Sequence, residues 1–110
     1  MLLAAVRDET LSLERVRDVT ASNPASIFGL EQKGRIVEGA DADLVLVDLS
    51  TSREIEAGAL HAKCGWTPFE GRAGVFPELT LVRGSVAYER DPVTGAESFG
   101  EPIGQNVCGR

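Results

Sequence analysis

The pattern of apolar residues changes near position 30, and this change limits the folds open to the chain. Before that point, Leu13, Val16 and Val19 recur at three-residue spacing, which places them on one face of a helix. After it, residues 44–47 form a continuous apolar run with an aspartate on each side, as expected for a buried strand. Helices followed by strands favour an α+β unit, or pieces of two domains.

Two or three short helices are predicted before the change. Residues 2–7 have the pattern of a helix end. Ser12 is a good N-cap for the next helix, and Glu14 lies in the first turn, where the helix dipole favours an acidic group. Asn23-Pro24 is a second start signal, because proline at the first helical position loses no needed hydrogen bond.

The last of these helices is expected to be short and to end at a glycine. Ile27 and Phe28 are predicted to be buried in it, and Gly29 suits the left-handed position after a helix end. The first 30 residues carry many apolar side chains for so few partners. These helices therefore resemble part of a larger protein that would cover their apolar faces.

Several short strands are predicted after the helices. Residues 35–37 are expected to be extended between glycine turns, and residues 53–56 to form a short edge strand. Residues 79–82 and 86–88 flank Arg83-Gly84-Ser85, a pattern typical of a hairpin. From residue 91 onward the chain is rich in glycine, proline and polar residues, which predicts a loosely ordered tail.

Charge and hydropathy exclude some classes of partner. The net charge of −6 argues against nucleic acid, which calls for a basic patch, and against anionic membrane surfaces. No apolar run approaches the roughly 20 residues that cross a bilayer. The N-terminus lacks a basic flank and turns acidic at once, unlike a signal peptide, so a cytoplasmic location is expected.

The choice of basic residues leaves two interpretations of the acidic charge open. Of the 11 basic residues, only Lys33 and Lys63 are lysines. Acid-rich, lysine-poor surfaces suit a high-salt cytoplasm, where screening shortens the range of self-repulsion, but an ordinary acidic protein has the same composition.

Thermal melting in low and in high potassium chloride separates these two interpretations. Adaptation to high salt predicts a melting temperature that rises with salt, because screening relieves repulsion among the carboxylates. Equal stability at both salt concentrations argues for an ordinary acidic protein.

Few residues are candidates for chemistry. The chain has one histidine, His61, and two cysteines, Cys64 and Cys108, and these three side chains are too few ligands for a zinc site. The two cysteines are expected to be reduced structural thiols. A Cys64 nucleophile with His61 as its base would lack a third orienting group. Asp41 and Asp43 could do acid–base work or bind a hard cation, but acidic residues before a strand more often cap backbone amides and make turns.

The most distinctive string in the chain is Trp66-Thr67-Pro68-Phe69-Glu70-Gly71. Its aromatic side chains could line a pocket or anchor an interface. The favoured interpretation is that Trp66 and Phe69 pack a long loop against a barrel or helix surface. The glycines of Gly34-Arg35-Ile36-Val37-Glu38-Gly39 are interpreted as turns, because no Gly-Lys-Ser/Thr follows them.

Three segments together resemble one enzyme superfamily. Residues 23–30 (NPASIFGL), residues 33–36 (KGRI) and residues 39–48 (GADADLVLVD) are similar to the C-terminal region of the cyclic amidohydrolases. These comprise dihydroorotases, allantoinases, hydantoinases and dihydropyrimidinases. The later string at residues 63–71 (KCGWTPFEG) is closer to dihydroorotase, and the hairpin at 79–88 matches the next segment.

The resemblance implies a protein in two parts. A (β/α)8 barrel would carry the active site at the C-terminal ends of its strands, beside a small β-sandwich built from both chain ends. Residues 1–30 would be the terminal helices of the barrel, residues 31–90 the C-terminal part of the sandwich, and residues 91–110 the tail. The fold class expected for this chain is therefore an α+β fragment.

The implied activity is reversible cyclisation of N-carbamoyl-L-aspartate to dihydroorotate in pyrimidine biosynthesis, with zinc activating a water. The family's ligands are a His-x-His pair, a carboxylated lysine, further histidines and an aspartate, and none of these motifs occurs here. No catalytic, substrate-binding or metal residue is therefore assigned to this chain. Zinc is implied for the full-length enzyme, but none is expected on these residues, which are expected to be inactive alone.

Two alternatives stay open. The chain could come from an allantoinase or hydantoinase-type enzyme, since substrate-reading loops would lie upstream. It could also be a non-catalytic interaction module that resembles dihydroorotase. Exposed apolar helices are expected to contact the missing barrel or a second copy of the chain, since large apolar patches mark interfaces.

Overall fold

The computed structural model describes residues 1–107 as a helical segment followed by two antiparallel sheets. The helical segment comprises α1 (Leu2–Arg7), α2 (Leu13–Arg17), a π-helical turn (Asp18–Ser22) and α3 (Asn23–Ile27). The strands are β1 (Leu44–Val47), β2 (Arg53–Glu54), β3 (Ala73–Gly74), β4 (Pro77–Val82), β5 (Ser85–Arg90) and β6 (Glu97–Phe99), with a 3-10 turn at Ala57–Ala59. The α+β class predicted from the sequence is confirmed.

Helix α2 begins where the sequence predicts, but α3 does not. The Ser12 hydroxyl accepts a hydrogen bond from the Arg15 N–H at 3.1 Å, as an N-cap should. Within residues 1–107 the Asn23 side chain makes no cap hydrogen bond, because the backbone is already helical at Ser22 and Asn23. Proline cannot donate to the carbonyl four residues earlier and its ring crowds that carbonyl, so a wider π-helical turn before Pro24 lets the helix continue through it.

The end of α3 follows the predicted chemistry, but its burial does not. Gly29 has a φ of 66°, and the Leu30 N–H donates to the Ala25 carbonyl at 2.8 Å, which closes a Schellman motif. Ile27 and Phe28 remain 77% and 76% exposed, so the expectation that they are buried is wrong. The face of α3 that turns inward is the one that carries Ala25, which is buried.

The larger sheet has the strand order β1-β4-β5-β6. The predicted hairpin is confirmed: β4 and β5 are joined at Arg83 and Gly84, whose φ angles of 47° and 81° are the left-handed values that a type I′ turn needs. Strand β1 is confirmed as a strand, but Val45 and Leu46 are 58% and 48% exposed, so its predicted burial is wrong. It lies at the edge of the sheet and pairs only with β4 among the described strands.

A smaller sheet lies in the long connection between β1 and β4. Strand β2 pairs with β3, and Ile55 just after β2 is buried. The Arg53 guanidinium stacks over the Phe76 ring at 4.2 Å, which covers one side of this connection. The strand predicted at 53–56 is thus present, although it is only two residues long.

Two stretches differ from the sequence prediction. Residues 35–37 form no strand: Arg35 and Val37 lie in bends, and Ile36 is 86% exposed. The predicted tail contains β6, which pairs with β5, so the expectation of loose order is wrong for residues 97–99. A side-chain signal precedes β6: the Asp91 carboxylate accepts from the Val93 and Thr94 N–H groups, which forms the turn that returns the chain to the sheet.

The core is small for a chain of this length. Among the described residues, the buried apolar side chains are Val16, Ala25, Ile55 and Val75. Many large apolar side chains stay exposed on the helices, on β1 and on the loops. None of the helices within residues 1–107 has the length and hydropathy of a membrane span.

Gly34 is a position where the fold admits only glycine. Its φ is 78°, and an added Cβ would lie 2.6 Å from both the Ala21 carbonyl oxygen and the Ala25 Cβ. The loop therefore touches the helix backbone, and the Ser22 hydroxyl donates to the Gly34 carbonyl at 2.9 Å. This contact holds the helices against the loop that leads into β1.

We expect Gly34→Ala to lower the free energy of unfolding by about 2–4 kcal/mol, because left-handed strain and steric overlap add. The matched control is Gly39→Ala, since Gly39 has a φ of 88° but open space around it. The control should cost only about 1–2 kcal/mol, from strain alone. Urea unfolding measures both, and equal losses would contradict the steric contact.

Candidate functional site

Three charged side chains contact one another in the loop between α3 and β1. The Lys33 ammonium contacts the Asp41 Oδ2 atom at 2.7 Å and also contacts the Asp43 carboxylate. The side chains of Lys33 and Asp41 are each 18% exposed, so the group is partly shielded from solvent. A lysine already placed between the two carboxylates supplies the positive charge that a hard cation would otherwise bring.

Asp43 also joins this loop to the hairpin. Its Oδ1 atom accepts from the Arg83 N–H at 2.8 Å, and the Gly84 N–H donates to the Ala42 carbonyl at 3.0 Å. The prediction that an acidic residue before β1 caps a backbone amide is therefore confirmed for Asp43. The amide that it caps lies 40 residues further along the chain, which the sequence pattern did not indicate.

The electrostatics of this group set a pH window. The hydrogen bond from Lys33, assisted by that from the Arg83 N–H, lowers the pKa of Asp43 below its ordinary value of 3.8. Hydrogen bonds to Asp41 and Asp43 raise the pKa of Lys33 above its ordinary 10.5. The Asp43 contribution to stability is thus complete above about pH 4 and is lost as pH falls through the lowered pKa. The Lys33 contribution is complete below its ordinary pKa and is lost as pH rises through the raised value.

His61 and Cys64 have different neighbours. The His61 Nε2 atom is 3.4 Å from the Glu97 Oε2 atom, and its ring meets Phe99 edge-on with centroids 5.2 Å apart. The Cys64 thiol is exposed and donates to the Trp66 carbonyl at 3.4 Å. The hypothesis of a Cys64–His61 pair therefore has no supporting contact among the described residues. Cys108 lies outside the described residues.

The aromatic string forms a loop that is hydrogen-bonded to residues 55–57 and presents its rings outward. The Glu70 carboxylate accepts from the Ala57 N–H at 2.8 Å, and the Gly71 N–H donates to the Ile55 carbonyl at 2.9 Å. Trp66 is nevertheless 64% exposed and Phe69 is 42% exposed. Packing of these rings against a helix or barrel surface stays a prediction, because the described residues 1–107 leave much of both rings uncovered.

The described residues do not form a metal centre. Within residues 1–107, no three side chains of the His, Cys, Asp and Glu types come close enough together to hold an ion. Lys33 balances one of the two negative charges of the acidic pair, and the single histidine lies beside Glu97 and Phe99. The donor set does not fit zinc, and no hydrolytic step can be derived through these residues.

Comparison with known proteins decides the family. The family model described as "Amidohydrolase family" matches residues 5–88. The chain belongs to the amidohydrolase family. The match contains α3, the charged group of Lys33, Asp41 and Asp43, the hairpin turn and most of both hairpin strands.

The relatives of this amidohydrolase chain include archaeal dihydroorotases and a hydantoinase. It is 58% identical over 94 residues to the dihydroorotase of Halobacterium salinarum, a match that spans 86% of this chain and 22% of that protein. It is 47% identical over 103 residues to the dihydroorotase of Methanosarcina acetivorans, spanning 92% of this chain and 22% of that one. The chain thus spans about a fifth of the length of these curated relatives.

A solved structure gives the same result for the fold. The L-hydantoinase (dihydropyrimidinase) from Arthrobacter aurescens matches with a TM-score of 0.73 and 38% sequence identity, over 76% of this chain and 19% of that one. The dihydroorotase resemblance inferred from the sequence motifs is therefore confirmed at the level of relatives. The charged group of this amidohydrolase piece, formed by Lys33, Asp41, Asp43 and the Arg83 backbone, lies within those motifs.

We expect Asp43→Asn to lower the free energy of unfolding by about 1–2 kcal/mol at neutral pH, because the charge-assisted bonds to Lys33 and Arg83 weaken while partial exposure limits the loss. The variant should also lose part of the decline in stability below about pH 4. Thermal melting from pH 3 to 7 measures both effects.

Asp8→Asn is the matched control, since Asp8 is exposed and its side chain makes no hydrogen bond within residues 1–107. It should leave both the neutral stability and the acid decline unchanged. A control that behaves like Asp43→Asn would show that overall charge, and not this contact, produces the effect.

Proposed function

We propose that this chain is the C-terminal unit of a dihydroorotase-type amidohydrolase. The parent enzyme would interconvert N-carbamoyl-L-aspartate and dihydroorotate in pyrimidine biosynthesis, in the cytoplasm. The observation that carries the proposal is the 58% identity to the Halobacterium salinarum dihydroorotase over 94 residues. Agreement with a second archaeal dihydroorotase at 47% identity supports the same substrate class.

In this proposal the chain supplies structure and the rest of the enzyme supplies chemistry. Residues 1–30 would be the terminal helices of a (β/α)8 barrel and residues 31–90 a share of a β-sandwich. Zinc would be bound by histidines and carboxylates outside this chain, since within residues 1–107 no suitable ligand group is present. The chain alone would therefore not catalyse the reaction.

The exposed apolar surface of the helices supports the proposal that another part of the enzyme covers it. A groove of about 560 Å³ lies between α1, α2 and β1, and its lining is mainly apolar: Met1, Leu2, Leu3, Leu13, Val16, Arg17, Thr20, Val45, Val47 and Val75. Leu13 and Val45 on its walls are 49% and 58% exposed. The proposed occupant is the barrel, because the relatives are about five times as long as their matched portions. A second copy of the chain is the alternative occupant.

A hydantoinase-type parent is the second candidate. The L-hydantoinase of Paenarthrobacter aurescens is 37% identical over 103 residues, and the solved Arthrobacter aurescens hydantoinase shares the fold at a TM-score of 0.73. The lower identity makes it the weaker candidate. An allantoinase or a non-catalytic module that supports a partner enzyme would have the same exposed helices.

A chimera tests the proposal directly. In it, this chain replaces the matching 94-residue stretch of the Halobacterium salinarum dihydroorotase. We expect dihydroorotate formation within about tenfold of the parent rate, since conserved packing contacts should keep the upstream site in place. The 110-residue chain with added zinc should show no turnover.

The same replacement in the Paenarthrobacter aurescens L-hydantoinase is the comparison. It should lose more than about tenfold of its activity, because only 37% of the aligned residues are identical. A hydantoinase chimera that works better than the dihydroorotase chimera would favour the second candidate. Turnover by the isolated chain would contradict the proposal that the catalytic residues lie outside it.

Light scattering tests the apolar groove. The isolated chain should associate as its concentration rises, and Leu13→Lys should reduce this association, because a charge then lies in the groove. Ile36→Lys is the matched control, since Ile36 is exposed but lies outside this groove. A monomer at every concentration would contradict the interface.

A further inference from the structure

Residues 66–71 form a loop whose backbone is held by hydrogen bonds, and we name it the aromatic loop. The Thr67 hydroxyl accepts from the Phe69 N–H at 3.3 Å, and the Phe69 carbonyl accepts from the Arg72 N–H at 3.0 Å. Further hydrogen bonds fix the loop to residues 55–57. A loop that is already ordered loses little conformational entropy when a partner covers it.

The side chains at the tip of the aromatic loop are uncovered. Trp66 is 64% exposed and Phe69 is 42% exposed, and Pro68 between them is also exposed. Within residues 1–107 the Trp66 indole N–H has no hydrogen-bond partner, and no other ring contacts this side chain. Tryptophan is among the side chains enriched at the centres of protein interfaces, where its N–H usually finds an acceptor.

The aromatic loop adjoins the apolar groove between α1, α2 and β1. Arg72 leads from the loop directly into β3, and α1 contacts β3. Val75, the residue after β3, is buried and lines the groove. Strand β3 therefore connects the groove to the aromatic loop, so that one partner surface can cover both.

We propose that the aromatic loop is a second anchor for the barrel. The Trp66 ring would lie in an apolar recess of the barrel surface, with its indole N–H donating to an acceptor there. The inference rests on the proposed function, in which the barrel occupies the adjoining groove. The matched stretch is 22% of the Halobacterium salinarum dihydroorotase, so most of such an enzyme lies outside this chain and is available to cover the loop.

Hydroxyl-radical footprinting read by mass spectrometry tests the anchor, because Trp66 is the only tryptophan in the chain. The isolated 110-residue chain is compared with the dihydroorotase chimera. Oxidation of Trp66 should be at least about fivefold slower in the chimera, because a ring that is 64% exposed becomes covered at the centre of an interface. Phe99 is the internal control, since it is 62% exposed and lies outside the part that the family model matches. Its oxidation rate should be the same in both proteins.

Substitution of Trp66 supplies a second measurement. In the chimera, Trp66→Ala should lower the melting temperature by about 3–6 °C, whereas in the isolated chain it should change by less than about 1 °C. Trp66→Phe should recover about half of the loss in the chimera, because it keeps an aromatic ring, and it decides the question if the alanine variant fails to fold. Val93→Ala is the control in both proteins, since Val93 is 91% exposed and lies outside the family match.

The outcomes separate this inference from the proposed function. An active chimera in which Trp66 is oxidised as fast as in the isolated chain overturns the anchor and leaves the proposed function standing. An inactive chimera in which Trp66 is protected supports the anchor and counts against the dihydroorotase assignment. Protection of Trp66 in the isolated chain as its concentration rises would assign the loop to a second copy and overturn the inference.

Discussion

The tie between Lys33, Asp43 and the Arg83 backbone is the interaction on which the rest of the structure depends. It joins three parts that are distant in sequence: the loop after the helices, the start of β1 and the turn of the hairpin. With few buried apolar side chains among the described residues, hydrophobic burial alone would fix these parts only weakly. A partly shielded ion group with defined hydrogen-bond geometry supplies the missing specificity. The close approach of Gly34 to the helix then sets the distance at which the helices lie.

Local signals in the sequence predicted local structure well. Ser12 as an N-cap, Gly29 at a helix end and Arg83-Gly84 in a hairpin all depend on the backbone chemistry of adjacent residues, which a sequence displays directly. Asn23-Pro24 misled the prediction because a π-helical turn before the proline lets the helix continue through it, so the pair does not start a new helix. Strand β6 was missed because three exposed residues carry little apolar pattern.

Burial was predicted less well, and for a physical reason. Four large apolar side chains of the kind that usually fills a core are exposed in this chain: Ile27, Phe28, Val45 and Leu46. Apolar composition shows that a side chain gains from being covered, but it does not say which surface covers it. A chain that spans about a fifth of its relatives' length leaves many such side chains without a neighbour. The candidate site followed the same rule: the capping role of Asp43 was predictable from its type, while its distant partner was not.

Arg83 shows how two demands on one residue can oppose each other. Its φ of 47° is a conformation that glycine or asparagine adopts with less strain. Either replacement would relax the turn, yet it would leave the Ile103 carbonyl without its guanidinium donor. Arg83 therefore accepts backbone strain at the turn and makes a hydrogen bond to a residue distant in sequence. A substitution of Arg83 that stabilises the hairpin in isolation should for this reason remove the bond between the turn and Ile103.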